Sequence, residues 1–253
     1  MFPEERRSII LKILNRQGRC LVSDLAKEME VSEVTVRQDL DALEREGLLR
    51  RTHGGAILPS KIGFERPFQI EETSFKAQKE RIAQAAAELV SPGDTLILDV
   101  GTTVSELAKK LLNIHDLTVF TNALNIAIIL EAAPSITTIV TGGTLRAKQH
   151  SLVNPYATLI LEKIRVDIAF IGVGGIEANH GITNVNIAEA EIKSLFLKTA
   201  RRRVVLADSS KIGNIGLVKI GDIEQIDLLI TDKQADAKEI AALRRKGLKV
   251  SLV

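Results

Sequence analysis

The chain is short of several things, and each shortage narrows what it can do. It has no Trp, one Tyr and only 3% aromatic residues, which speaks against stacking platforms for single-stranded nucleic acid. Cys20 is the only cysteine, so an intrachain disulfide framework is excluded and a reducing compartment fits best. The four histidines, His53, His115, His150 and His180, stand far apart, and none has a partner at metal-ligand spacing. No metal and no cofactor are expected. Long apolar runs are also missing: the run 123–130 is interrupted by Asn125 and falls well short of a bilayer span. Met1 leads straight into Pro3-Glu4-Glu5-Arg6-Arg7, without the apolar stretch of a signal peptide. A cytoplasmic location with no membrane contact is the expectation. The formal charge of +2 is too small to argue for or against nucleic acid, so any such claim rests on local motifs.

What is present suits one small domain and one of medium size, since 253 residues with 45% hydrophobic content can fill two cores. Residues 1–58 read as three helices and a hairpin. Ile9, Ile10, Ile13 and Leu14 form an apolar stripe at helical spacing that ends at Gly18. A shorter helix carries Leu25, Ala26 and Met29, and after a tight turn Ser32 is placed to cap a third helix running to about Glu46. Strand residues either side of Gly54-Gly55 predict the hairpin. Residues 59–75, which open with the breaker-rich run Pro59 to Pro67, read as a linker.

From 76 to 253 strand-like runs alternate with amphipathic helices. Strands are expected near 95–100, 117–121, 136–141, 166–172, 203–207, 227–231 and 248–252, with helices near 76–90, 103–113, 123–132, 156–164, 188–200 and 235–246. Such alternation predicts a mostly parallel sheet covered on both faces, with any ligand beyond the carboxyl ends of the strands.

Two helices joined by a tight turn suit insertion of the second into a major groove of double-stranded DNA. Val36, Leu40 and Leu43 of the third helix face its core, which leaves Ser32, Glu33, Thr35, Arg37 and Gln38 outside. Arg37 suits a guanine edge or a phosphate and Gln38 an adenine, while Arg50, Arg51 and His53 of the hairpin suit the flanking backbone. Charge does not help here, because residues 1–58 hold ten Lys/Arg and ten Asp/Glu. The same features also fit a three-helix interaction module whose Arg and Gln are merely solvated.

A longer pattern favours DNA. Val31-Ser32-Glu33-Val34-Thr35-Val36-Arg37-Gln38-Asp39-Leu40, then Leu43, then Gly47-Leu48-Leu49-Arg50-Arg51-Thr52-His53-Gly54-Gly55-Ala56, resembles the signature of the DeoR family of repressors. The family often carries a second Arg where this chain has Gln38, so an operator sequence does not transfer.

In the second segment, Asp99-Val100-Gly101-Thr102-Thr103 is a strand end turning into a helix. Gly101 permits close backbone approach, the hydroxyls donate, and the helix start favours an anion such as phosphate. The same turn also reads as an ordinary N-cap. Thr121-Asn122, Thr141-Gly142-Gly143-Thr144 and Gly172 to Gly175 follow other strands at comparable points, and with the first they make four such turns, which predict one crevice; Asp208-Ser209-Ser210-Lys211 follows the next strand. Lys211 would supply a cation there, or a plain surface salt bridge.

These runs, with Ser151-Leu152-Val153 and Glu189-Ala190 before Lys193, are similar in order to the DeoR effector domain, so the resemblance covers nearly the whole chain. It implies an α/β effector domain related to ribose-5-phosphate isomerase-like folds behind a small α+β winged helix-turn-helix domain. It implies, too, a repressor released by a phosphorylated sugar or related metabolite. Asp99, Gly101, Thr102, Thr103, Thr121, Asn122, Gly142, Gly143, Glu189 and Lys211 are its candidate effector residues. The chain departs from the family at Asn154, where Gly is usual, and at Gly174, where an acid is usual.

Three alternatives stand beside this reading. Gly172-Val173-Gly174-Gly175 superficially matches a dinucleotide loop, but Ile176 to Gly181 reads as loop rather than the required helix. A sugar-phosphate isomerase with a DNA-binding head would need a proton-transfer base; Asp99 and Glu189 are on offer, and the acidic position is Gly174. An activator is the third. Arg201-Arg202-Arg203 reads as a solvated helix terminus. A homodimer or homotetramer is expected, because one head reads few base pairs.

Overall fold

Helix α1 (Pro3–Gln17) has Pro in its first turn, where no hydrogen bond is lost, and stops at Gly18 in the left-handed region (φ +72°). The computed structural model describes residues 1–57 and 65–253, in two units, Met1–Ser74 and Phe75–Val253. In the first unit β1 (Arg19–Leu21), α2 (Val22–Glu28) and α3 (Glu33–Arg45) follow, then β2 (Arg50–Thr52) and β3 (Gly55–Ile57). Ile10, Leu14, Leu25, Val36, Leu40 and Leu43 form its interior. Strand β3 lies between β1 and β2, antiparallel to both. Gly55 makes that pairing possible, because a Cβ there would lie 1.9 Å from the Cys20 carbonyl oxygen.

The second unit is built on seven parallel strands: β4 (Thr95–Leu98), β5 (Leu117–Thr121), β6 (Ile136–Val140), β9 (Val166–Gly172), β12 (Ala200–Leu206), β14 (Leu228–Thr231) and β15 (Lys249–Leu252). Their spatial order is β15-β14-β12-β9-β4-β5-β6. Helices α5 (Lys76–Ala87), α6 (Thr102–Leu111) and α7 (Leu124–Glu131) pack on one face through Ile82, Leu107 and Ile126. On the other face α8 (Tyr156–Leu161), α9 (Ile187–Thr199) and α10 (Ala237–Arg245) bury Leu161, Phe196 and Leu243. The chain walks outward from β4 through β5 to β6, then returns to β4's other side at β9. The reversal between β4 and β9 is the point at which sheets of this kind bind ligands, at the carboxyl ends of the strands.

All seven strands and six helices expected for this unit are found. Other expectations need correction. Within the stretch 59–75 expected as linker, α4 (Phe68–Thr73) forms and Phe68 is buried; residues 58–64 lie outside the described residues. The loop expected at 176–181 is the hairpin of β10 (Gly175–Glu177) and β11 (Gly181–Asn184), extended by β13 (Val218–Gly221). Strands β7 (Thr144–Arg146) and β8 (Ser151–Val153) form a second hairpin that was not expected. Arg201 to Arg203 belong to β12 rather than a helix end, and Arg203 is forked onto Asp227 at 2.8 and 2.9 Å.

Candidate functional site

The side chain of Ser32 accepts from the backbone N–H of Thr35 at 3.1 Å, closing the first turn of α3 as an N-cap does. Helix α3 buries Val36, Asp39, Leu40, Ala42 and Leu43 and leaves Glu33, Val34, Arg37, Gln38 and Asp41 exposed. Arg37 is held by Glu33 one turn earlier, at 2.6 Å with both side chains about half exposed, a geometry that DNA can open at little cost. Gln38 has no hydrogen-bond partner among the described residues. Arg50 and His53 are exposed on the hairpin.

Arg51 does something else. It bonds the Asp41 carboxylate and, at 3.2 Å, the Arg37 carbonyl, while its own N–H donates to Glu44 at 2.7 Å. It pins the hairpin to α3. Asp39 is also structural: it is buried and accepts from Arg6 at 2.7 Å and Arg7 at 3.3 Å, tying α1 to α3. These pairings lie 32 and 33 positions apart, and no local pattern announces them.

In the second unit, Gly101 joins β4 to α6 with φ +140° and ψ 152°, a conformation closed to side-chain-bearing residues. An added Cβ would meet open space there, so the backbone and not crowding demands glycine. Thr102 and Thr103 open α6, and their hydroxyls are unpartnered among the described residues. Asn122, at the end of the neighbouring β5, is fully buried, and its side-chain oxygen has no hydrogen-bond partner. The Thr121 hydroxyl donates to the Leu98 carbonyl at 2.7 Å and accepts from Ala123 at 3.1 Å, so it stitches β5 to β4. Gly142 and Gly143 follow β6, both with positive φ, and Val153 lies so close that a Cβ on Gly143 would be 2.2 Å from its carbonyl oxygen.

Asp99 is fully buried and committed. It accepts from Val100 at 2.8 Å and Gly172 at 3.0 Å, and it pairs with Lys193, which also donates to the Gly172 carbonyl at 2.9 Å. Burial pushes its carboxyl up to about 6, against the pull of Lys193 and with some push from Glu189. The pair therefore clamps β4 to β9 across the reversal point instead of facing open space. Glu189, capped into α9 by Asn186, is ligated by Ser151 at 2.5 Å, Asn184 at 3.1 Å and Arg146. Arg146 and Asn184 are missed by sequence reasoning, because each comes from an unforeseen hairpin. Gly174 packs against Asn184, where the family pattern has an acid.

Lys211 sits in the turn after β12. Strand β9 separates β12 from β4, which puts Lys211 roughly 10 Å along the sheet from the Gly101 turn at about 4.8 Å per strand. Gly101, Thr102, Thr103 and Asn122 are brought together at adjacent strand ends; Lys211 and Gly143 stand two strands away on opposite sides.

Two family models cover the chain: a DeoR-like helix-turn-helix domain over residues 6–62 and a DeoR C terminal sensor domain over residues 74–233. The chain belongs to the DeoR family. Similar curated proteins agree over their full length. The transcriptional regulator GolR of Listeria innocua is 35% identical over 252 residues, covering 100% of this chain and 99% of GolR. A putative aga operon transcriptional repressor of Escherichia coli O157:H7 is 36% identical, covering 98% and 93%. Among solved structures, ribose 5-phosphate isomerase A of Methanocaldococcus jannaschii aligns with a TM-score of 0.41 at 19% identity, over 55% of each chain. This DeoR-family chain is thus a DNA-binding helix-turn-helix regulator with a sensor domain. Among the described residues, no helix is long and apolar enough to cross a membrane.

Proposed function

We propose that the chain is a transcriptional repressor acting on a double-stranded DNA operator, and that a phosphorylated sugar or related metabolite bound to the sensor domain releases it. The observation that carries the ligand chemistry is the start of α6: a glycine in a conformation only glycine adopts, followed by two unpartnered hydroxyls at a helix N-terminus. Free backbone N–H groups, two hydroxyls and the positive end of the helix dipole suit a phosphate dianion. Asn122, buried beside them with an unmet oxygen, suits a sugar hydroxyl. Lys211 and Gly143 serve the two ends of a longer ligand rather than one phosphate.

On the DNA side, Arg37 and Gln38 read bases from α3, Arg50 and His53 hold the backbone, and Ser32 and Arg51 keep the reading helix in shape. Against an isomerase stands the pairing of both candidate bases. Asp99 is buried against Lys193 and Glu189 is bound by three side chains, so neither is placed to move a proton on a substrate. Two heads on a homodimer or homotetramer would raise operator affinity through effective concentration.

Thr102→Val tests the site, because it keeps the shape and removes one hydroxyl. A thermal-shift screen of sugar and polyol phosphates first identifies a binder. Calorimetry on the variant is then expected to show a loss of about 1.5–3 kcal/mol in its affinity. Operator affinity without ligand stays as in the wild type, and release by ligand in a titrated shift assay moves to higher concentration. Superimposed curves for the two proteins put the phosphate elsewhere, and turnover of ribose 5-phosphate restores the isomerase.

A further inference from the structure

One residue on the reading face of α3 has no use so far. Val34 is 61% exposed, and it is the one apolar side chain among the exposed positions Glu33, Val34, Arg37, Gln38, Asp41, Glu44 and Arg45. At an exposed helical position valine is a poorer helix former than alanine, because its branched Cβ loses rotamer freedom against the preceding turn. Local stability therefore does not explain it. The hydrophobic cluster of the first unit does not include it either.

Position supplies the explanation. Val34 lies in the first turn of α3, the turn closed by the Ser32 cap, and the N-terminal part of a recognition helix is the part that reaches base edges. In the major groove the apolar feature on offer is the C5-methyl group of thymine. Four residues on, and so on the same helix face, stands Gln38, exposed and without a partner. A glutamine pairs bidentately with adenine. At about 1.5 Å of rise per residue the two side chains are some 6 Å apart along the helix, within two base-pair steps of about 3.4 Å each. The flanking charges complete the picture. Arg37 is tied only to the exposed Glu33 at 2.6 Å and Arg51 is spent on Asp41, so beside the Arg37 cation this face offers an apolar group and an amide.

We propose that Val34 is a specificity-determining residue that reads a thymine methyl, within two base pairs of an adenine read by Gln38, in each half-site. This rests on α3 being the reading helix.

The test uses the full-length protein. Duplexes are enriched from a random library by wild type and by Val34→Ala, and each thymine of the wild-type consensus is then replaced singly by uracil, which removes only the methyl. One uracil position per half-site is expected to weaken wild-type binding roughly fourfold, the worth of one buried methyl. The same replacement leaves Val34→Ala unchanged, and the library enriched by Val34→Ala loses its thymine at that position. Thermal melting shows that the variant is folded. The proposal is overturned if no uracil weakens the wild type, or if every uracil weakens both proteins equally. Arg37→Ala and Gln38→Ala separate that failure from a deeper one: if both bind the consensus like wild type, α3 does not read DNA at all.

Discussion

At the scale of single residues, the structure divides the arginines of the DNA-binding unit into those that build it and those left to work. Arg6 and Arg7 are consumed by Asp39, and Arg51 by Asp41 and the Arg37 carbonyl. Arg37 is tied only to an exposed glutamate, an interaction worth at most a few tenths of a kcal/mol. Arg37→Ala should therefore leave thermal stability almost unchanged while weakening specific operator binding by about 1–3 kcal/mol. Measuring affinity against salt distinguishes a base contact from a phosphate contact. A base contact costs affinity for the operator alone, whereas a phosphate contact costs it on every sequence and flattens the salt slope by about one unit. Equal binding by wild type and variant to the operator would sink the assignment. None of this sorting was legible in the sequence, where ten basic residues face ten acidic ones between 1 and 58. The partners of a charge lie across the fold, as Lys193 and Asp99 do at 94 positions apart.

At the scale of elements, legibility followed the alternation of strand and helix. The seven strands of the large sheet, four to seven residues each, were found because they alternate with helices of six to thirteen residues. Strands β1, β7, β8, β10, β11 and β13, of three or four residues, lie outside that alternation and were missed. That omission mattered for the site: Arg146, Ser151 and Asn184, which surround Glu189, all sit on these short hairpins. The polar turns at strand ends were legible because glycine and threonine mark them locally. The Gly54-Gly55 turn was read correctly as a hairpin, but why it needs Gly55 was not visible. Gly55→Ala drives a methyl into the Cys20 carbonyl at 1.9 Å, and backbone cannot yield as a flexible side chain can. Strand β1 should detach from β3, and operator binding should fall by more than tenfold. Effector binding by the second unit should persist, as calorimetry would show. A Gly55→Ala protein with wild-type operator affinity would mean that this sheet plays no part in holding α3.

At the scale of the whole molecule, the sensor domain carries a charge pair at its centre, and that pair gives it a pH signature. Burial raises the Asp99 carboxyl from 3.8 to about 6, so between those values the folded domain holds a proton that the unfolded chain has released. Stability attributable to this group is full below about pH 4 and is lost as pH rises through about 6. The difference is on the order of 3 kcal/mol at 1.36 kcal/mol per pKa unit. Other carboxylates pull the opposite way; Arg203 holds Asp227 below the usual range. The comparison is therefore with Asp99→Asn/Lys193→Met, which removes both charges and keeps similar volumes. From pH 7 to pH 5 the sensor domain of the wild type should gain stability relative to that variant, measured by urea denaturation at each pH. Parallel pH profiles for the two proteins would show that Asp99 ionises in the fold as it does in the unfolded chain.

The two ends of the large sheet are treated differently. Towards the amino ends of the strands, Asp167 accepts from the Thr95 N–H at 3.0 Å and Asp227 grips Arg203, fastening β4 to β9 and β12 to the start of β14. The buried and half-buried polar turns gather at the carboxyl ends. The carboxyl rim has its own ties, Asp99 to Lys193 and Thr121 to the Leu98 carbonyl, and the turns between those ties are the part open to change. On the function proposed above, swapping the residues around Gly101, Asn122, Gly142 and Lys211 would alter what the rim accepts while the ties hold the strands in register. Descent with new ligand preferences then needs only a few substitutions at loop positions, which makes this domain a tractable starting point for sensors built to order.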